Sequence, residues 1–123
     1  MLHHISFGVA DLQRAAAFYE AVLAPLGYAR VWEDATGVGF GRAGADDNLA
    51  LKLRPHVRPP GPGFHLAFSA PSQEAVAAFH AAALRKGGKD NGSPGLRPHY
   101  GPTYYAAFVI DPDDHPIEAV FTS

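Results

Sequence analysis

The chain repeats itself. His4, Phe7, Phe18, Leu23 and Gly27 each meet the same residue type 61 positions later, at His65, Phe68, Phe79, Leu84 and Gly88. One common offset over five positions is the tightest constraint in the sequence. Two copies of one supersecondary unit must then share a core. In the first copy Ile5, Phe7 and Val9 alternate with His4, Ser6 and Gly8, which predicts a strand. Asp11 suits a helix N-cap. Ala15, Phe18, Val22 and Leu26 recur at helical spacing on one face, and Pro25 and Gly27 mark the helix end. Short strands follow over 28–32, 38–41 and 49–53. The second copy restarts with a strand over 64–69, an N-cap at Ser72, and Val76, Phe79, Ala83 and Gly87 at the same helical steps. It closes with strands over 104–110 and 116–122, and the Gly- and Pro-rich stretch 91–103 reads as a loop. Residues 1–54 are thus the first module, 55–63 a proline-rich linker and 64–123 the second module.

At 123 residues the two modules make one domain. A net charge of -2 gives no basic excess, so nucleic acid is not an expected partner. No apolar run approaches the roughly 18 residues of a membrane span, and no segment reads as a signal peptide. The chain has no cysteine, so disulfides and thiolate metal sites are excluded, and any metal must bind nitrogen and oxygen. Lack of cysteine and of a signal fits the cytoplasm.

Against this background Glu118 is out of place. Ile117, Ala119 and Phe121 line one face of the last strand, and Glu118 lies on the other face between Pro116 and Val120. A carboxylate in an apolar strand needs a cation or a metal. His4 and His65 stand at equivalent places in the two modules. If the modules pack about a pseudo-twofold, His4, His65 and Glu118 converge. Two imidazoles and one carboxylate with open positions suit a catalytic Zn, Mn, Ni or Fe(II) ion. The other reading of Glu118 is a salt bridge to Lys52 or Arg54.

Three stretches carry a family resemblance: HHISFGVADLQRAAAFYEAVLAPLG, FHLAF and YYAAFVIDPDDHPIEAVF. Together they resemble the glyoxalase/bleomycin-resistance/extradiol-dioxygenase superfamily, also called the vicinal oxygen chelate superfamily. The resemblance implies an α+β fold of two tandem βαβββ modules. Their strands form an open, cup-like mixed sheet with helices on the outside. It implies metal ligands at His4, His65 and Glu118, and a divalent ion that polarises a small oxygenated substrate. An isomerase, lyase, thiol transferase or dioxygenase would fit, acting as a homodimer. The alternative is a metal-free protein of the bleomycin-resistance type that sequesters a small molecule, and the ligand set counts against it. Members with four protein ligands carry a further glutamate in the first module, where this chain offers Ala50 or Lys52. The closing turn has Asp114 where the family usually has Gly; Asp tolerates a positive φ better than most residues.

The segment Arg97 to Tyr104 concentrates a cation, an imidazole and aromatics, as binding loops do. Tyr104 and His99 are the candidate catalytic side chains. Arg97 and Tyr100, with Trp32, Phe40 and Lys52 from the first module, are the candidate substrate-binding residues. His3 is expected on the surface, His80 on or under the second helix, and His115 solvated in the turn. Arg54, His56 and Arg58 read as part of a solvated linker.

Overall fold

The computed structural model describes residues 1–123. The first module runs β1 (Ile5–Val9), α1 (Leu12–Leu23), a 3-10 turn (Ala24–Leu26), β2 (Ala29–Glu33), β3 (Gly37–Gly41) and β4 (Asp47–Leu53). The second runs β5 (Leu66–Ser69), α2 (Gln73–Arg85), β6 (Lys89–Leu96), β7 (Tyr105–Ile110) and β8 (Pro116–Phe121). Each builds a four-stranded sheet, ordered β1-β4-β3-β2 in one and β5-β8-β7-β6 in the other. In each, the first and last strands pair in parallel and the rest antiparallel. This is the βαβββ arrangement expected twice over.

The caps form as the sequence predicts. Asp11 Oδ1 accepts from the Arg14 N–H at 3.1 Å, and Ser72 Oγ accepts from the Ala75 N–H at 3.0 Å. Phe18 and Phe79, one repeat apart, are both fully buried. The offset of 61 then slips. Leu23 is buried but Leu84 is exposed, and the positive-φ glycine after each helix is Gly27 in one module and Gly87, not Gly88, in the other. The first helix ends in a 3-10 turn that the second lacks, so its chain reverses one residue later.

One element departs from expectation. Residues 91–103 do not form one long loop, because β6 extends to Leu96. Its register against β7 shifts twice, between Asp90 and Gly92 and between Gly92 and Gly95. Gly92, Pro94 and Gly95 erase the alternation that would have marked it. An edge strand tolerates a proline because one side of it needs no ladder donor.

A single core joins the modules. It gathers Phe18, Tyr19 and Val22 of α1, Val76 and Phe79 of α2, and one face of each sheet, including Val38, Leu51, Val109, Ile117 and Ala119. Both helices therefore cover the core side, and the other face of each sheet carries no helix. His4 and Ser6 share the parity of the first helix-free face, since Ser6 pairs with Ala50 and Ala50 with Gly39. Glu118 belongs to the second, where it pairs with Ala67 and Phe108.

The β7–β8 turn locks the modules together. Asp111 accepts from the Tyr19 hydroxyl at 2.5 Å, from the backbone N–H groups of Asp113 and His115 at 2.8 Å each, and pairs with His115 Nδ1 at 2.9 Å. Burial, then the Asp111 carboxylate, push the Tyr19 hydroxyl pKa well above its usual value. His115 is thus not solvated as expected. It is buried, and its ring lies 4.2 Å from that of Phe7. Asp114 takes the positive φ, 70°, that the turn requires.

Candidate functional site

Glu118 is the centre of the second helix-free face. Its side chain is 1% exposed, and its two oxygens have unlike surroundings. Oε2 accepts a 2.6 Å hydrogen bond from the Tyr104 hydroxyl. Oε1 lies 2.9 Å from Nε2 of His65. That contact has the distance of an ion pair but not the alignment of a hydrogen bond, so Oε1 is buried with no donor directed at it. An oxygen left so is costly unless something else satisfies it.

His65 and Glu118 are two donors of the kind a divalent ion takes. An imidazole nitrogen and a carboxylate oxygen suit Zn or a neighbouring transition metal. Their 2.9 Å separation is that of an ion pair, so it is the donor types and the orphaned Oε1 that suit an ion. Tyr104 supplies the outer hydrogen bond that such carboxylate ligands usually have.

Aromatic groups extend the site in both directions. Phe108, opposite Glu118 in the β7–β8 register, packs edge-on against the His65 ring at 6.1 Å. The Arg97 guanidinium lies over Phe108, 5.4 Å from the ring centre, and comes from the β6 side of β7 where His65 comes from the β5 side. Toward the turn, Tyr104 neighbours Tyr100 at 5.2 Å, and Tyr100 neighbours the His99 ring at 4.2 Å. The Tyr104 hydroxyl is pushed up to about 12 by burial first, then by its hydrogen bond to Glu118 and the charges nearby. It stays a phenol at neutral pH and acts as a donor.

Of the residues singled out in the sequence, the structure gathers His65, Glu118, Tyr104, Tyr100, His99 and Arg97 into this one row. The others lie in the first module. His4 is exposed, its Nδ1 2.8 Å from Nδ1 of His3. No three histidines or carboxylates of the chain lie close enough to share an ion. Trp32 lies flat over β3, where a Cβ on Gly39 would fall 2.1 Å from its indole nitrogen. Lys52 is exposed on the same face, paired with Gly37. Phe40, expected to line the cup, instead points into the core and is 1% exposed, because it alternates with Gly39 and Gly41.

The register settles the counterpart of Glu118. Ala67 pairs with Glu118 in the second module, Ser6 pairs with Ala50 in the first, and the β-strand repeat carries Ser6 onto Ala67. The counterpart is therefore Ala50 and not Lys52, so the first module offers no carboxylate there. Phe108 was missed in the sequence. Its only signal is parity: it falls on the same side of β7 as Ala106, away from Ala107 and Val109.

The comparisons agree with this architecture. The family model described as Glyoxalase/Bleomycin resistance protein/Dioxygenase superfamily matches residues 1–119. A search among curated proteins finds no match. Among solved structures, the chain is similar to a glyoxalase/bleomycin resistance protein from Albidiferax ferrireducens, with 30% identity, a TM-score of 0.84 and coverage of 98% of this chain and 97% of that one. A glyoxalase-related enzyme from Fulvimarina pelagi gives 23% identity, a TM-score of 0.76 and coverage of 99% and 88%. The fosfomycin resistance protein FosX from Listeria monocytogenes shares the fold at 19% identity, with a TM-score of 0.73 and coverage of 100% and 93%.

Proposed function

The chain belongs to the Glyoxalase/Bleomycin resistance protein/Dioxygenase superfamily, and on that premise we propose a metal-dependent enzyme in which His65 and Glu118 hold a divalent ion for a small oxygenated substrate. The observation that carries this reading is the buried Oε1 of Glu118, 2.9 Å from His65 Nε2 and without a hydrogen-bond donor. A bound Zn, Mn, Ni or Fe(II) ion would supply Lewis acidity to oxygens on which negative charge develops.

The chain's own groups do the positioning. Tyr104 keeps its proton and holds Oε2, which leaves Oε1 as the free ligand atom. A phenol whose pKa is pushed up to about 12 is a poor proton source, so Tyr104 acts chiefly as a hydrogen-bond donor. In this reading His99, exposed beside Tyr100, is the second catalytic side chain. Phe108 shields one side of the pair from water. Trp32 and Lys52 belong to the facing wall.

His4 completes the ligand set in this reading from a second copy of the chain. It lies one residue before β1 with the parity of the helix-free face of the first sheet, and both helix-free faces lie away from the shared core. A homodimer that sets the first module of one copy against the second module of the other would bring them together.

The reading is tested by titrating chelator-treated protein with Zn, Mn, Ni and Fe(II). Wild type should bind at least one of these ions, and His65→Ala should bind it at least tenfold more weakly. Equal affinity in the variant would overturn the assignment. A wild-type chain that takes up none of the ions would fit the sequestering alternative instead.

A further inference from the structure

The cup face of β6 is cleared for one side chain. A Cβ on Gly92 would come within 3.2 Å of Nη2 of Arg97, and one on Gly95 within 3.3 Å of Nη1. Those two positions pair with Phe108 and Ala106, on the face that carries Glu118. The guanidinium fills the space a side chain at Gly95 would take, and at Gly92 it shares the space with the Phe108 ring, 3.0 Å from a Cβ there. It is fixed there by two carbonyls: Nη1 donates to Gly95 O and Nη2 to Ser93 O, each at 2.8 Å. Gly92 has a φ of 149°, a value that side chains rarely adopt, so the clearing is built into the backbone.

This cation has no counter-charge. Arg97 makes no ion pair with any carboxylate of the chain. An arginine has five N–H donors, and the two carbonyls occupy only part of them. A planar guanidinium held in place and stacked on an aromatic ring loses little freedom when it pairs with an oxyanion. Arg14 and Arg30 have carboxylate partners, and Arg42, Arg54, Arg58 and Arg85 have none, but Arg97 alone is both stacked on a ring and held by two carbonyls.

We propose that Arg97 is a preformed oxyanion subsite, and that the substrate is a small acid whose anionic group pairs with Arg97 while an apolar segment crosses Phe108. The oxygens to be activated then lie at His65 and Glu118, on the β5 side of the same ring. One aromatic ring separates the guanidinium from the imidazole, which sets the length of the spacer. The substrate class rests on the metal-dependent reading, but the anion subsite itself needs no metal.

Binding to chelator-treated protein tests this, with benzoate and phenylphosphonate as two oxyanions on one ring and benzamide as the uncharged counterpart. Wild type should bind one or both anions at least tenfold more tightly than benzamide, and the tighter one names the oxyanion. Arg97→Gln should remove that preference. Benzamide within threefold of both anions on wild type would overturn the proposal, and that comparison involves no variant whose folding could fail. So would an anion preference that survives in Arg97→Gln. Lost ion binding with the anion preference intact would sink the metal reading alone; the converse would sink this one alone.

Discussion

Tyr104 and His65 approach the same carboxylate from two sides, and only Tyr104 is aligned to donate to it. Tyr104→Phe should therefore leave Glu118 without its one hydrogen bond and lower stability by about 1–3 kcal/mol, read by chemical denaturation. The same bond gives a sign to the alkaline limb. The folded pKa of Tyr104, about 12, lies above that of the unfolded chain. Its contribution is fully present below about pH 10 and is lost as the pH rises toward 12. A titration of tyrosinate absorbance should show this phenol ionising later than an exposed tyrosine, and Tyr104→Phe should remove that late step. Glu118 was legible in the sequence because a carboxylate breaks an apolar strand. Phe108 was not, because an aromatic in a strand looks like any core residue until its parity is tied to a partner strand.

Among the elements, the β7–β8 turn and β3 make the sharpest demands. Asp111 collects donors from Tyr19, Asp113 and His115 in a buried setting. Asp111→Ala should cost about 3 kcal/mol or more, measured by denaturation, because it strands Tyr19 and His115 without an acceptor. Gly39→Ala should push the indole of Trp32 off β3. That ring is 37% exposed and can give way, so the stability cost stays near 1 kcal/mol or less. Trp32 is the sole tryptophan, so its emission reports the displacement directly. The helices were legible because their caps and spacing are local. The strand β6 was hidden by Gly92, Pro94 and Gly95; at the two glycines a Cβ would meet the Arg97 guanidinium. His115 was misjudged because a polar residue in an acidic turn reads as solvated. Burial came from Phe7 and Tyr19, about a hundred positions away in sequence.

For the molecule as a whole, the duplication was visible in the sequence, while the direction in which each sheet faces was not. Local spacing places His4 and His65 at equivalent points of two modules; only packing decides whether equivalent faces meet within a chain. Here one core takes the helix side of both sheets, so the helix-free faces lie away from it. A dimer that joins them predicts complementation. His4→Ala and His65→Ala chains, each defective alone, should recover about a quarter of the wild-type sites when refolded together, since half the dimers are mixed and each mixed dimer has one intact site. The central claim, that Glu118 is a metal ligand, is tested most directly by elemental analysis of wild type and Glu118→Gln loaded with the same ion and freed of excess. One ion per wild-type chain and little retained by the variant is the predicted result; equal metal content in the two would contradict it.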